Sequence, residues 1–214
     1  MALSVEGIDM FNDISIIIPM YKQETQLETL LSDLAPIKDK AEILVCEEGS
    51  RAKSLNAGAA RAQNSFLWFL HADSRVNVQN FTSLDNGLRT RPNALHYFDL
   101  SFDDDGPALS CINSWGANWR SRIFGVPYGD QGLCLSREQF RETEGYPEDV
   151  PYGEDLLFVW RARQRGIRLN RIPTFLTTSA RKYQQQGWLR LTALYQFRWI
   201  RMSIPEAVKL VIKP

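Results

Sequence analysis

Apolar positions follow two different periods along this chain. Ile14 to Pro19 is a short β-branched run stopped by a proline. Near-continuous apolar runs of that length suit strands covered on both faces, as in a parallel sheet. Residues 41–46 and 66–70 read the same way. Between these runs the period lengthens. Leu27, Leu30, Leu31 and Leu34 fall on one face of a helix over 25–34, and Leu55, Ala59 and Ala62 on one face of an Ala-rich segment over 52–63. A further helix is expected over 81–90. Strands and helices alternate at the spacing of βαβ units. The pattern predicts an α/β fold with an open parallel sheet.

The second half reads differently. Residues 96–102 alternate like a strand of a mixed sheet, and Asp103-Asp104-Asp105-Gly106 is a turn composition. A short apolar strand, 133–135, follows Gly129-Asp130-Gln131-Gly132. Glu154 and Asp155 open a helix after Gly153 that runs to about Arg165, with Gly166 just past its end. From 186 to 212 the chain is helical in composition, with a break expected near Pro205. No internal repeat or low-complexity linker divides it. The expected organisation is one domain over 1–185 with a C-terminal helical appendage, 186–214, packed on it.

Composition narrows the classes of function. The 214 residues suffice for a sizeable core. Lys plus Arg and Asp plus Glu both number 25, so no global field points to nucleic acid as a partner. Cys46, Cys111 and Cys134 are odd in number and far apart. They form neither a CxxC pair nor a metal-ligand spacing with His71 and His96. Small reduced thiols in a cytoplasmic protein are the expectation. Residues 1–13 lack the basic-then-apolar order of a signal peptide. No apolar run is long enough to span a membrane.

Parallel sheets bind ligands at the carboxyl ends of their strands. Pro19-Met20-Tyr21, Glu47-Glu48-Gly49-Ser50 and His71-Ala72-Asp73 lie at such ends. A carboxylate at Asp73 suits a hard divalent cation, which needs only one or two protein oxygens plus substrate phosphates. Taken alone, it equally suits a turn cap. Glu154 and Asp155 complement the dipole of the helix they start; a positioned carboxylate there can also take a proton from an attacking hydroxyl. The glycines around Asp130 and Gln131 allow close backbone approach to a ligand, or form a plain turn. Arg51 and Lys53 flank a helix start suited to phosphate, although neither a Walker loop nor GxGxxG is present. The tail interleaves Arg181, Lys182, Tyr183, Trp188, Arg190, Tyr195, Phe197, Arg198, Trp199 and Arg201. Such a segment either lies on an anionic membrane surface or packs its aromatic face on the sheet, the commoner fate of an amphipathic helix.

The order of the motifs carries more than any one of them. Ile16-Ile17-Ile18-Pro19, the run from Glu42 to Glu47, Asn56-Ala57-Gly58-Ala59 and Phe69-Leu70-His71-Ala72-Asp73 come first. Pro127-Tyr128-Gly129-Asp130-Gln131-Gly132, Gly153-Glu154-Asp155 and Thr178-Ser179-Ala180-Arg181-Lys182 follow. Over residues 14–200 the chain resembles the bacterial family 2 glycosyltransferases, and most of all the small subgroup marked NAGA, FLHAD, PYGDQG and TSAR. The resemblance implies the GT-A fold: a Rossmann-like, mostly parallel sheet with helices on both faces, here with C-terminal helices added. It implies a nucleotide-diphosphate sugar as donor, a sugar or lipid-linked acceptor, and inversion in one in-line displacement. It places Mn²⁺ or Mg²⁺ on Asp73, with His71 in the first position of a DxD-like motif. Asp155 becomes the base and Glu154 its neighbour toward the acceptor. Asp130 and Gln131 become sugar contacts, and Pro19, Tyr21 and Glu47 nucleotide contacts. From the helix start they flank, Arg51 or Lys53 is expected to add charge at the phosphates.

One departure stands out. The second strand runs through Glu47-Glu48-Gly49-Ser50 straight into Arg51, where the family has a longer loop, a helix and a further strand. That keeps two alternatives open: a non-catalytic binding protein on the same fold, and a nucleotide-sugar hydrolase.

Overall fold

The computed structural model describes residues 7–20 and 26–212. Seven strands form one sheet: β1 (Ile14–Pro19), β2 (Glu42–Cys46), β3 (Phe66–Phe69), β4 (Ser74–Arg75), β5 (Ala94–Phe102), β6 (Cys134–Ser136) and β7 (Arg168–Thr178). Their spatial order is β2-β1-β3-β6-β5-β7-β4. β1 pairs in parallel with β2 and β3, and β5 with β7. β6 is antiparallel to β3 and β5, and β4 to β7. Five strands therefore share one direction and place their carboxyl ends along one edge, which is the mostly parallel sheet expected.

Both faces of the sheet are covered. Ile14, Ile16 and Ile18 of β1 join Trp68 of β3 in a core closed by α1 (Leu27–Leu34) and α3 (Val78–Thr90). Phe11, Trp68 and Phe81 meet there edge to face, with centroids 5.6–6.3 Å apart. Ile17 points the other way, with Leu67 and Phe69, into a core closed by α2 (Arg51–Arg61), α5 (Arg137–Glu142) and α6 (Glu154–Gln164). This split follows from the two-residue period of a strand. At Gly58 of α2 a Cβ would lie 2.4 Å from Ile17 Cγ2, so the helix approaches β1 through a missing side chain. Asn56 of the same helix donates to the Tyr146 carbonyl and accepts from its amide, both at 2.9 Å. The NAGA segment is thus a packing device.

Three expectations change. The 41–46 strand is not buried on both faces: β2 is an edge strand whose residues before Cys46 are half-exposed or exposed. With a neighbour on one side only, it lacks the cover of a central strand. Second, the helix through Pro205 is unbroken, α8 (Trp188–Ile212). Proline removes one backbone donor, but contacts to α6 hold both sides of that position: Trp160 Nε1 donates to Ser203 Oγ at 3.3 Å and Gln164 Nε2 to Glu206 Oε2 at 2.9 Å. Third, α4 (Ser110–Phe124), α5, α7 (Arg181–Gln186) and β7 lie in segments where the sequence pattern gave no element. α4 carries Ser, Asn, Gly and Arg among its apolar residues and exposes Trp115 and Trp119, so no clean stripe marks it.

Candidate active site

The carboxyl ends of β3, β5 and β7 open into a cavity of about 310 Å³. β3 leads to His71 and Asp73, β5 contributes Leu100 and Phe102, and β7 ends at Thr178 and Ser179. The first residue of α2 brings Arg51 and the first turn of α6 brings Asp155. α4, α7 and α8 form the remaining wall, with Arg120, Lys182, Tyr195, Arg198 and Trp199. These helices are locked to one another: Trp188 Nε1 donates to Asn113 Oδ1, and Asn113 Nδ2 to Thr192 Oγ1, both at 2.9 Å.

Two backbone amides hold the Asp155 carboxylate. Its Oδ2 accepts from the Gly129 amide and its Oδ1 from the Leu156 amide, each at 2.8 Å. Burial pushes its carboxyl up, but the Arg51 guanidinium and these amides outweigh burial and hold it below the ordinary range. It is ionised at neutral pH. Gly129 leaves no room for a side chain, since a Cβ there would sit 2.9 Å from His71 Nε2 and 3.1 Å from Asp155 Oδ2. Gly153, at φ +75°, turns the chain into α6 and sets Glu154 and Asp155 in its first turn. Glu154 is nearly buried and ion-paired with Arg51, behind the cavity wall.

The other ionisable groups are tuned differently. Burial first, then the Asp155 carboxylate, push the Asp130 carboxyl up to about 7. Its Oδ1 is buried without a hydrogen-bond partner. Burial, then the Arg51 charge, push the His71 imidazole down to about 4, so it is neutral at pH 7. Arg120 stacks over the Tyr128 ring, 3.8 Å from its centroid.

The structure brings Arg51, Asp73, Asp130 and Asp155 together around one space, with Glu154 tied to Arg51. It does not bring the rest. Gln131 is wholly buried and does not line the cavity: it donates to the Phe98 carbonyl and accepts from Ser121 Oγ, each at 2.8 Å, tying β5 to α4. Pro19 is buried at the end of β1, while Lys53 and Glu47 are exposed; none of the three lines the cavity. Tyr21 lies outside the described residues. Arg120 has no signal in the sequence, being one of several arginines in an unpatterned segment. Lys182, Arg198 and Trp199 do have one, as the basic-aromatic tail, and the structure directs part of that tail inward.

Among the described residues no three His, Cys, Asp or Glu side chains gather into a ready-made metal cage. Asp73 fits a divalent ion of the kind that arrives with phosphates, because its carboxylate lines the cavity and such ions keep few protein ligands.

No protein-family model matches the sequence, and no curated protein does either. Solved structures do match. The S. aureus protein TarS, residues 1–349, superposes with a TM-score of 0.60 at 14% identity, covering 78% of this chain and 60% of that one. Its complex with UDP-GlcNAc gives 0.59 at 15% identity, covering 78% and 58%. The mannosyltransferase PcManGT from Pyrobaculum calidifontis, in complex with GDP-Man and Mn²⁺, gives 0.55 at 15%, covering 77% and 56%. This is the GT-A fold. Identities this low speak for the fold alone, and the chain spans only about 60% of the TarS fragment.

Proposed function

We propose that this chain is an inverting, family 2-type glycosyltransferase that moves a sugar from a nucleoside-diphosphate donor to an acceptor hydroxyl. The observation that carries the reading is the convergence of Asp73, Asp155, Asp130 and Arg51 on one cavity at the carboxyl ends of the strands. The structural neighbours include complexes with UDP-GlcNAc and with GDP-Man and Mn²⁺, which supports a nucleotide-sugar donor.

Each residue then has a role. Asp73 would hold Mn²⁺ or Mg²⁺, which when bound offsets the charge on the departing diphosphate. Arg51, fixed by Glu154, adds a cation beside the phosphates. Asp155 takes the acceptor proton as the acceptor oxygen bonds to the anomeric carbon and the bond to the diphosphate breaks. Its two amide contacts leave lone pairs for that proton. Asp130 contacts the sugar. The appendage 186–214 supplies a wall of the cavity through α8. Its outer face, with Phe197, Ile200 and Ile204 exposed, suits peripheral contact with a membrane that carries a lipid-linked acceptor, with the rest of the chain on the cytoplasmic side.

Asp155→Asn is expected to lower kcat by about 10²–10⁴ while nucleotide binding is kept; unchanged turnover would remove Asp155 from this role. One observation favours a second reading, a binding protein on this fold: Pro19 and Glu47, which the resemblance gives to the nucleotide, and Lys53, expected near its phosphates, do not line the cavity. Calorimetric titration of UDP and GDP, with and without Mn²⁺, on wild type and Asp73→Ala separates the two. Metal-dependent binding lost in the variant supports the transferase. Absence of binding to either nucleotide favours the binding protein.

A further inference from the structure

Arg120 is only 5% exposed, yet it belongs to the cavity wall. Nε donates to the Val126 carbonyl at a long 3.4 Å, and Nη2 is buried with no hydrogen-bond partner. No carboxylate among the described residues forms an ion pair with it. Elsewhere this protein satisfies the carboxylates it buries with guanidinium groups: Asp99 takes Arg122 and Arg171, Asp85 takes Arg89, and Glu154 takes Arg51. Arg120 breaks that habit. A guanidinium keeps its charge under all ordinary conditions. The Asp130 carboxylate acts on it without an ion pair or hydrogen bond between them, and a buried charge with no ion-pair partner is costly, so structures keep one where something else supplies the partner.

Two more orphaned atoms share the same space. Asp130 Oδ1 and Trp199 Nε1 are buried without partners, and both residues line the cavity. All three residues line one cavity that is large enough for a sugar. Water can satisfy an indole N–H or a carboxyl oxygen, but the cation calls for an anion.

We propose that Arg120 is the centre of an anion subsite in this cavity, and that the acceptor carries an acidic group, a carboxylate or a phosphate, which binds there. The proposal rests on the transferase reading for the word acceptor, though not for the binding itself.

Placement separates this subsite from that of the donor. The charges that act most on His71 are Arg51, Asp73, Asp155 and Lys182, the groups suited to a diphosphate and its cation. Arg120 stands instead between the rings of Tyr128 and Trp199, on the α4–α8 side. Asp130 feels both sets. An acceptor with its acidic group on Arg120 can present a hydroxyl to the Asp130 carboxylate, which lines the same cavity. Its ring then lies beside aromatic faces.

The test is calorimetric titration without nucleotide or metal, using glucuronate, glucose 6-phosphate, inorganic phosphate and neutral glucose. Wild type is expected to bind at least one charged sugar 10-fold or more tighter than glucose, with a preference that weakens as salt rises. Arg120→Gln is expected to erase that preference, and Arg120→Lys to keep part of it. The stronger of the two charged sugars identifies carboxylate or phosphate. Binding of inorganic phosphate as tight as that of glucose 6-phosphate points to a free-anion site and overturns the acceptor assignment. So does equal binding of glucose and the charged sugars, no binding of either charged sugar, or a preference that survives in Arg120→Gln. Should Arg120→Gln fail to fold by circular dichroism, the wild-type selectivity and Arg120→Lys still decide. A separate titration with UDP or GDP and Mn²⁺ isolates the other failure: absence of nucleotide binding sinks the transferase reading and leaves the Arg120 result standing. Loss of nucleotide binding in a folded Arg120→Gln that retains the charged-sugar preference assigns Arg120 to the donor and overturns the proposal.

Discussion

Between about pH 4 and pH 7 two half-buried groups pull the stability of this protein in opposite directions. The Asp130 carboxyl moves from 3.8 up to about 7 on folding, because burial and the Asp155 carboxylate disfavour its charged form. The folded chain keeps a proton that the unfolded chain releases, so this group's contribution is full below pH 4 and is lost as pH rises to about 7. His71 moves from 6.5 down to about 4, so the unfolded chain binds the extra proton and its contribution grows with pH over the same window. The wild-type profile is their difference. Asp130→Asn isolates one of them: stability near pH 4 is expected to be unchanged, and stability at pH 8 to rise by about 1–3 kcal/mol. Urea unfolding at the two values checks it, and an equal effect at both would mean that Asp130 does not titrate on this scale. At the residue scale the sequence shows Asp73, Asp155 and Arg51 because they stand where strands end and helices begin. It cannot show Arg120, whose meaning comes from the ring it stacks on and the missing ion-pair partner.

The elements that sequence reveals are those with a clean period. β1 and β3 are apolar on both faces and sit in the middle of the sheet, so every residue reports burial. α4 does not show a stripe. It uses Asn118 rather than apolar contact to join β5, accepting from the Leu100 amide at 2.7 Å and donating to its carbonyl at 2.9 Å. A polar side chain in that role looks like surface in the sequence. Gly58 offers the sharpest test at this scale. Gly58→Ala places a methyl 2.4 Å from Ile17 and 3.2 Å from Cys46 Sγ. Branched Ile17 is fixed within the core, so α2 must shift. A loss of about 1–3 kcal/mol in denaturant unfolding is expected, despite the better helix propensity of alanine. A gain in stability would show that the α2–β1 contact is looser than its geometry.

For the molecule as a whole, α8 is both wall and brace. It supplies Tyr195, Arg198, Trp199 and Met202 to the cavity and packs along α6 through Trp160 and Gln164. A chain ending at Gly187 is therefore expected to lose the cavity and the cover of α6 together. Thermal unfolding should become broad and shift to lower temperature, and the nucleotide binding proposed for the cavity should vanish with it. A truncated chain that melts as sharply as the full one would make α8 an attachment, not a part of the core. No helix among the described residues is long and apolar enough to cross a membrane. The membrane contact proposed for α8 has its own test. Vesicle co-sedimentation that ignores anionic lipid content would count against it.

The sequence by itself determines the alternation of strands and helices, the two-faced core and the line of polar residues at the strand ends. Each is written in local periods of two or 3.6 residues, which the chain cannot evade without exposing its core. Tertiary structure alone decides which of those polar residues meet. Gln131 turns inward to bond β5 and α4, and Lys53 and Glu47 stay in solvent. Arg120 and Trp199, 79 positions apart by their numbers, line the same cavity as Asp130. Such convergence depends on helix packing and on unpaired charges, and no local period records either.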